Sequence, residues 1–360
     1  MKIVICGLSI TSSWGNGHAT TYRALVSALK ARGHQTVFFE HDLEWYASNR
    51  DMPEPPFCRV HIYERWDDVR SLLRRELRDA DVAVLGSYFP DGVMAAAEIL
   101  ESAVPVKAFY DIDTPITVAK LNAGDEEYLR RDQIAGFDLY FSFTGGPVLH
   151  ELESKFGAKR AVPLYCSFDS SRYRLCEPDP RFLSDLSYMG TFAPDRQDKL
   201  REMLCVPASR LVDRRFIVAG PQYPTSIDWP KNVKRIVHVE PKFHPPFYCS
   251  SRFTLNLTRK LMMEQGHSPS VRLFEAAGCG AAIISDRWQG IETFFVPGEE
   301  ILLASLGEEV ASYLLNVGEA EARTIGLRAQ ERVRAEHTSE RRAEQFESFV
   351  GAKSLARQFA

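Results

Sequence analysis

Hydrophobic positions in this 360-residue chain fall into short unbroken runs separated by amphipathic stretches, and the alternation occurs twice. Lys2 to Cys6 is an apolar run with little polar alternation, the pattern of a strand covered on both faces. The glycine- and serine-rich GLSITSSWGNGH follows, and Tyr22, Leu25, Val26 and Leu29 then recur at helical spacing. Gly33 stops that helix and Thr36 to Phe39 is a second strand, so the chain opens on a βαβ unit and a parallel sheet. Helices are predicted over 66–77, 92–100 and 147–156, and strands over 81–85, 106–110, 139–143 and 161–164. Met52 to Phe57, with three prolines, reads as a surface loop.

The rhythm lapses in CSFDSSRYRLCEPDPRFLS, a polar run starting at Cys166. It restarts with strands predicted over 186–189, 216–218, 235–237, 253–257 and 281–285, and from Gly318 onward the chain is helical and highly charged. The expected organisation is an N-terminal domain over 1–167, a linker over 168–184, a C-terminal domain over 185–335 and a last helix over 336–360. The fold class is α/β, two Rossmann-like domains facing across a cleft. Ligands of open parallel sheets bind at the carboxyl ends of the strands.

Composition narrows the function. The net charge of −4 argues against a nucleic-acid binder driven by bulk charge, so no nucleic-acid partner is expected. Seven scattered cysteines without a Cys-x-x-Cys pair argue against a disulfide framework or zinc site; they read mostly as buried fillers in a reducing cytosol. The apolar run at the N-terminus is too short for a secretory signal, and no run approaches the roughly 20 residues of a membrane span. A cytoplasmic protein is expected, with room for peripheral membrane contact. Oligomeric state is not legible.

The most informative segment is GHSPSVRLFEAAGCGAAIISDRWQGIETFFVPGEE, Gly266 to Glu300. Ser268 reads as an N-cap and Pro269 as the first residue of a helix running to about Ala277. Free N–H groups and the positive dipole end of such a helix suit a diphosphate. Arg272 offers a bidentate phosphate contact, and Glu275 offers acceptors for two ribose hydroxyls. The competing reading is a plain Arg272–Glu275 surface pair at i, i+3.

Together SVRLFEAAGCGAAIISD, GIETFF and PGEE resemble the glycosyltransferase family 1 signature, in its spore-maturation CgeB-like variant. The resemblance is strongest over roughly 187–304 and implies a GT-B fold with a nucleotide diphosphate-sugar, such as a UDP-sugar, as donor substrate. It implies no further cofactor and no metal, and makes Glu275 the residue that grips the donor's ribose. Many retaining members carry a second glutamate eight residues earlier; here that position is His267. The donor set is completed by His267 itself with Ser268 and Ser270, by Gly190, Arg196 and Lys199 in SYMGTFAPDRQDKL, and by Arg259 after the strand FTLNL. Glycine admits a ligand close to the backbone and the cations neutralise a leaving diphosphate. The alternative for Arg196 and Lys199 is a solvated helix start paired with Asp195 and Asp198.

The N-terminal half offers the acceptor side. His18 follows Gly15 and Gly17 at a helix start, and histidine titrates near neutrality, as a general base must. An inverting transfer with His18 as base is the expectation; a helix cap or acceptor contact is its alternative. Asp111-Ile-Asp113 resembles a divalent-metal pair but ends a strand, and Asp113 is read as lining the acceptor cleft. The unknown acceptor supplies a hydroxyl or amine. Rival functions are a GT-B-fold nucleotide-sugar isomerase or hydrolase, a non-enzymatic nucleotide-sugar binder, and an NAD(P)-dependent oxidoreductase. In the last of these, Glu40 at the end of the second strand is the ribose-binding acid.

Overall fold

A computed structural model describes the backbone of residues 1–358 and the side chains of residues 1–351. The chain divides into two compact units, Met1–Cys166 with the segment from Ser339 onward, and Ser167–Thr338. Among the described residues no helix is long and apolar enough to cross a membrane.

The first unit is built on seven strands: β1 (Lys2–Cys6), β2 (Gln35–His41), β3 (Arg59–Tyr63), β4 (Val82–Gly86), β5 (Val106–Asp111), β6 (Leu139–Ser142) and β7 (Ala161–Pro163). They lie parallel in the order β3-β2-β1-β4-β5-β6-β7. The register sets Val4 against Val37 and Ala83, so the apolar runs stack in the middle of the sheet. Phe109, Phe137 and Tyr140 pack together and are at most 1% exposed. Complete burial of an aromatic side chain contributes about 1.5–3 kcal/mol. β3 was not predicted: it is an edge strand, RVHIY, whose residues are mostly half-exposed or exposed, so no apolar run marks it. The C-terminal helix Ser339–Gln358 also belongs to this unit. Phe346 packs on Phe141 at 5.4 Å, Arg342 donates to the Tyr165 carbonyl at 2.9 Å, and Glu347 pairs with Arg32 and His34.

The second unit has six parallel strands: β8 (Ser184–Met189), β9 (Phe216–Ala219), β10 (Val233–Ile236), β11 (Ser251–Asn256), β12 (Ala282–Asp286) and β13 (Leu302–Ala304), in the order β10-β9-β8-β11-β12-β13. β13, three residues long, was too short to show in the hydrophobic pattern. The segment 168–184, read as a linker from its polarity, carries large buried side chains. Phe168 is 1% exposed and lies against Gly278, and Tyr173 is 3% exposed.

In each sheet one strand pair marks the reversal of winding, β1 beside β4 and β8 beside β11. In open parallel sheets the loops after such strands diverge, and ligands bind at the carboxyl edge there. The candidate residues lie on or beside these loops.

Candidate active site

In the second unit, Arg272 does not pair with Glu275. It lies in the helix Val271–Gly278, and its Nε donates to the Met189 carbonyl at 2.5 Å while Nη1 donates to Asn256 Oδ1 at 2.9 Å. It thereby joins the ends of β8 and β11, with its guanidinium 5.0 Å above the Tyr188 ring. Asn256, which the sequence reading missed, is the hub of this corner. It also accepts from Ser270 Oγ at 2.8 Å and donates to Ser285 Oγ at 2.9 Å. The available signal was a polar residue ending an otherwise apolar strand, FTLNL.

The helix starts two residues later than the sequence suggested. Ser270, not Ser268, is the N-cap, because Gly266 and His267 both take positive φ, 68° and 49°, and delay the helix. Ser270 spends its hydroxyl on Asn256 and makes no side-chain cap bond, so the first-turn N–H groups keep their donor capacity. Ser268 is buried beneath this turn. Positive φ in a non-glycine residue is strained and persists only where its surroundings enforce it. Here the His267 N–H bonds the Gln289 carbonyl at 2.6 Å, and its ring fills the space a side chain at residue 290 would need, hence Gly290.

Glu275 is 7% exposed and buried among aromatic neighbours, and this burial pushes its carboxyl up to about 7 against a hydrogen bond from Tyr173. Tyr173 sits in the stretch read as a linker, where nothing in the sequence singled it out. Arg196 donates from Nη2 to the Thr191 carbonyl at 2.8 Å, and its buried Nε has no hydrogen-bond partner. Lys199 is held within the unit: Nζ lies 2.6 Å from Asp286 Oδ2 and 3.1 Å from the Thr258 carbonyl, so its Asp198 alternative is not made. Arg259 is exposed and bonds Asp195 at 3.3 Å. The Gly190 carbonyl accepts from the Tyr223 hydroxyl at 3.2 Å and lies so close to Gly220, at φ 143°, that a side chain there would overlap it.

In the first unit, His18 and Asp113 meet although 95 residues apart, with Nε2 2.6 Å from Oδ2. His18 lies in the first turn of the helix Gly17–Ala31, where Asn16 caps its N–H at 2.9 Å, and Gly15 supplies a positive φ of 58° just before. Its Nδ1 is buried without a hydrogen-bond partner. Asp113 ends the turn after β5, and its N–H donates to Asp111 Oδ1 at 3.2 Å. Asp111 also accepts from Tyr140 at 2.5 Å and Thr117 at 2.7 Å, and burial lifts its carboxyl to about 6. Among the described residues no three His, Cys, Asp or Glu side chains are grouped to hold a metal ion. The sequence reading also missed a second cluster, in which Asp91 accepts from Tyr63 at 2.7 Å and pairs with His41 at 2.8 Å.

Glu40 speaks against the oxidoreductase alternative. It is fully buried and accepts from the Ser9 and Thr11 hydroxyls and from the N–H groups of Ile10 and Thr11, at 2.6–3.0 Å. Its carboxylate staples the loop after β1 and is not presented to a dinucleotide ribose.

No protein of curated function matches the sequence. Residues 196–348 match the family described as glycosyl transferase-like. Among solved structures, the chain resembles sucrose-phosphate synthase from Thermosynechococcus elongatus at a TM-score of 0.68 and 14% identity, covering 99% of this chain and 98% of that one. It resembles HepE of Anabaena, in complex with UDP and glucose, at 0.70 and 11%, covering 98% and 100%. It resembles an alpha-glucosyltransferase, in complex with UDP-glucose and DNA containing an abasic site, at 0.70 and 11%, covering 98% and 99%. With two Rossmann-like units and these full-length likenesses, the chain has the GT-B glycosyltransferase fold.

Proposed function

We propose that the chain transfers a sugar from a nucleotide diphosphate donor, a UDP-sugar first among them, to an acceptor hydroxyl or amine. The observation that carries this reading is the donor-rich corner where β8 and β11 end, within a segment that matches a glycosyl transferase-like family. Solved structures of the same fold are complexes with UDP and UDP-glucose.

Breaking the sugar–phosphate bond builds negative charge on the diphosphate. Arg196, with a buried N–H unspent, Arg272 and the uncapped first turn of Val271–Gly278 supply positive potential there. Lys199 adds charge at longer range, since Asp286 already neutralises it. Glu275 receives ribose hydroxyls on the acceptor sites that Tyr173 leaves open, a carboxylate having about four. None of these groups calls for a metal.

His18 is the proposed base for an inverting transfer. Asp113 orients the ring and stabilises the imidazolium that forms. With Nε2–H donated to Asp113, Nδ1 is the atom left to take the acceptor's proton. Because Nδ1 is buried, the acceptor must displace its cover to reach it.

A thermal-shift screen of UDP, GDP, TDP and NAD(P) tests the reading. Ligand at 100 times its Kd adds about 2.7 kcal/mol to stability. Stabilisation by a nucleoside diphosphate alone is expected. Stabilisation by NAD(P) alone would overturn the proposal, and donor consumption without any acceptor would replace transfer by isomerisation or hydrolysis.

A further inference from the structure

The second unit draws together three of the seven cysteines, a cluster their spacing in sequence does not announce. Cys176 lies ahead of β8, Cys249 closes the short helix His244–Cys249, and Cys279 follows the helix Val271–Gly278. The Cys176 N–H donates to Cys249 Sγ at 3.4 Å. As a thiol, Cys249 donates to the Cys279 carbonyl at 3.5 Å, and it hydrogen-bonds the thiols of both other cysteines. The hydrogen bond between the Cys176 and Cys249 thiols brings the two sulfurs within hydrogen-bond reach of each other, a separation that a side-chain rotation can close to a disulfide. Cys176 and Cys249 are half-buried, whereas Cys279 is fully buried.

We propose that Cys176 and Cys249 form a redox-responsive thiol pair that closes to a disulfide. The hydrogen bond from the Cys279 thiol lowers the Cys249 thiol, and burial raises that of Cys176. Cys249, which accepts from the Cys176 N–H and bonds both other thiols, is the attacking thiolate, and Cys176 the resolving thiol. With hydrogen peroxide as oxidant, the Cys249 thiolate attacks one peroxide oxygen, the O–O bond breaks, and hydroxide leaves a sulfenic acid. The Cys176 sulfur then attacks the Cys249 sulfur and expels a second hydroxide. The S–S bond forms, the two thiols give up two electrons and two protons, and peroxide becomes two waters.

The pair is wired to Glu275. Tyr173, three residues before Cys176, bonds Glu275, and its hydroxyl lies 3.1 Å from Nδ1 of His244, which opens the helix that Cys249 closes. Tying Cys176 to Cys249 therefore constrains both the segment that carries Tyr173, the partner of the Glu275 carboxyl, and the helix whose His244 bonds Tyr173. An effect on nucleotide binding rests on the proposed donor role of Glu275; the disulfide itself does not.

The full chain is treated with hydrogen peroxide, its free thiols are counted, and linked peptides are mapped by mass spectrometry without reduction. UDP affinity is measured by calorimetry before oxidation, after it, and after dithiothreitol. Expected are the loss of two thiols, a linked 176–249 peptide, and a several-fold change in UDP affinity that dithiothreitol reverses. Cys176→Ser and Cys249→Ser each abolish the linked peptide, while Cys58→Ser keeps it. A linked pair elsewhere, or none in the folded protein, overturns the proposal; a linked peptide with a UDP affinity that is measurable but unchanged supports the thiol pair and overturns its coupling to Glu275. A chain that forms the linked peptide but binds UDP in neither state supports the thiol pair and overturns the donor reading instead.

Discussion

Near the carboxyl edge of the first sheet the candidate residues are an imidazole and a carboxylate, His18 and Asp113, with the carboxylates Glu40 and Asp111 beside them. Near the same edge of the second sheet they are mostly cations and amides: Arg196, Lys199, Arg272 and Asn256. The two sheets share a winding rule, yet the candidate residues at one edge are chiefly acceptors and those at the other chiefly donors. Under the proposed reading, a doubled fold serves two chemically opposite partners. The accepting edge suits a hydroxyl that must lose a proton, and the donating edge suits a diphosphate that gains charge.

Substitutions probe each edge separately. His18→Ala is expected to cut turnover by roughly 10²–10⁴-fold, the usual span for a positioned base, with donor binding nearly unchanged. The product anomer, read by NMR, should be opposite to the donor's. Retained configuration, or near-normal turnover in the variant, leaves the His18–Asp113 pair a structural contact. Arg196→Ala is expected to lower turnover by about 10²-fold, as removal of one transition-state donor does, while binding of the bare nucleoside holds. Equal losses in both would assign Arg196 to ground-state binding.

Glu275→Ala should weaken UDP-sugar binding by roughly 1.5–3 kcal/mol, the cost of a charge-assisted hydrogen bond, with the fold intact. Calorimetry showing unchanged affinity would remove Glu275 from the donor site. Its titration gives an independent check. The carboxyl is raised from an ordinary 4.5 to about 7 by burial. The protonated, buried form is therefore fully favourable below about pH 4.5, and that contribution fades as pH rises through about 7. Wild-type stability should fall relative to Glu275→Gln across this window, by roughly 3 kcal/mol at most. A parallel pH dependence in the two proteins would mean the carboxyl titrates normally. The smallest expected effect is none: EDTA should leave turnover unchanged. Complete loss, restored by Mg²⁺ or Mn²⁺, would make ligands of Asp111 and Asp113.

The sequence was most readable where burial is symmetrical. β1 and β4 are apolar on both faces, and their runs lie on or within a residue of the observed strands. β3, half-exposed at a sheet edge, left no such trace. Within the site, residue types were legible but their engagements were not. Arg272 and Glu275 stand three apart on one helix, and spacing alone left a surface pair between them as an open alternative. Tertiary structure sends Arg272 to the end of β8 and Glu275 to Tyr173, which lies 102 residues earlier in the sequence. The His18–Asp113 pair spans 95 residues, and only the order of strands in the sheet brings it together.

The return of the chain to its first unit has a consequence for biosynthesis. Residues 167–338 form one contiguous unit, so it can assemble as soon as that stretch has left the ribosome. The first unit is translated earlier but lacks the helix Ser339–Gln358, which covers Phe141 and pairs with Arg32 and His34. Until that helix emerges, those surfaces stay open to solvent. The part made first is thus the part finished last, and a chain truncated at Thr338 would keep the second unit whole while leaving the first incomplete.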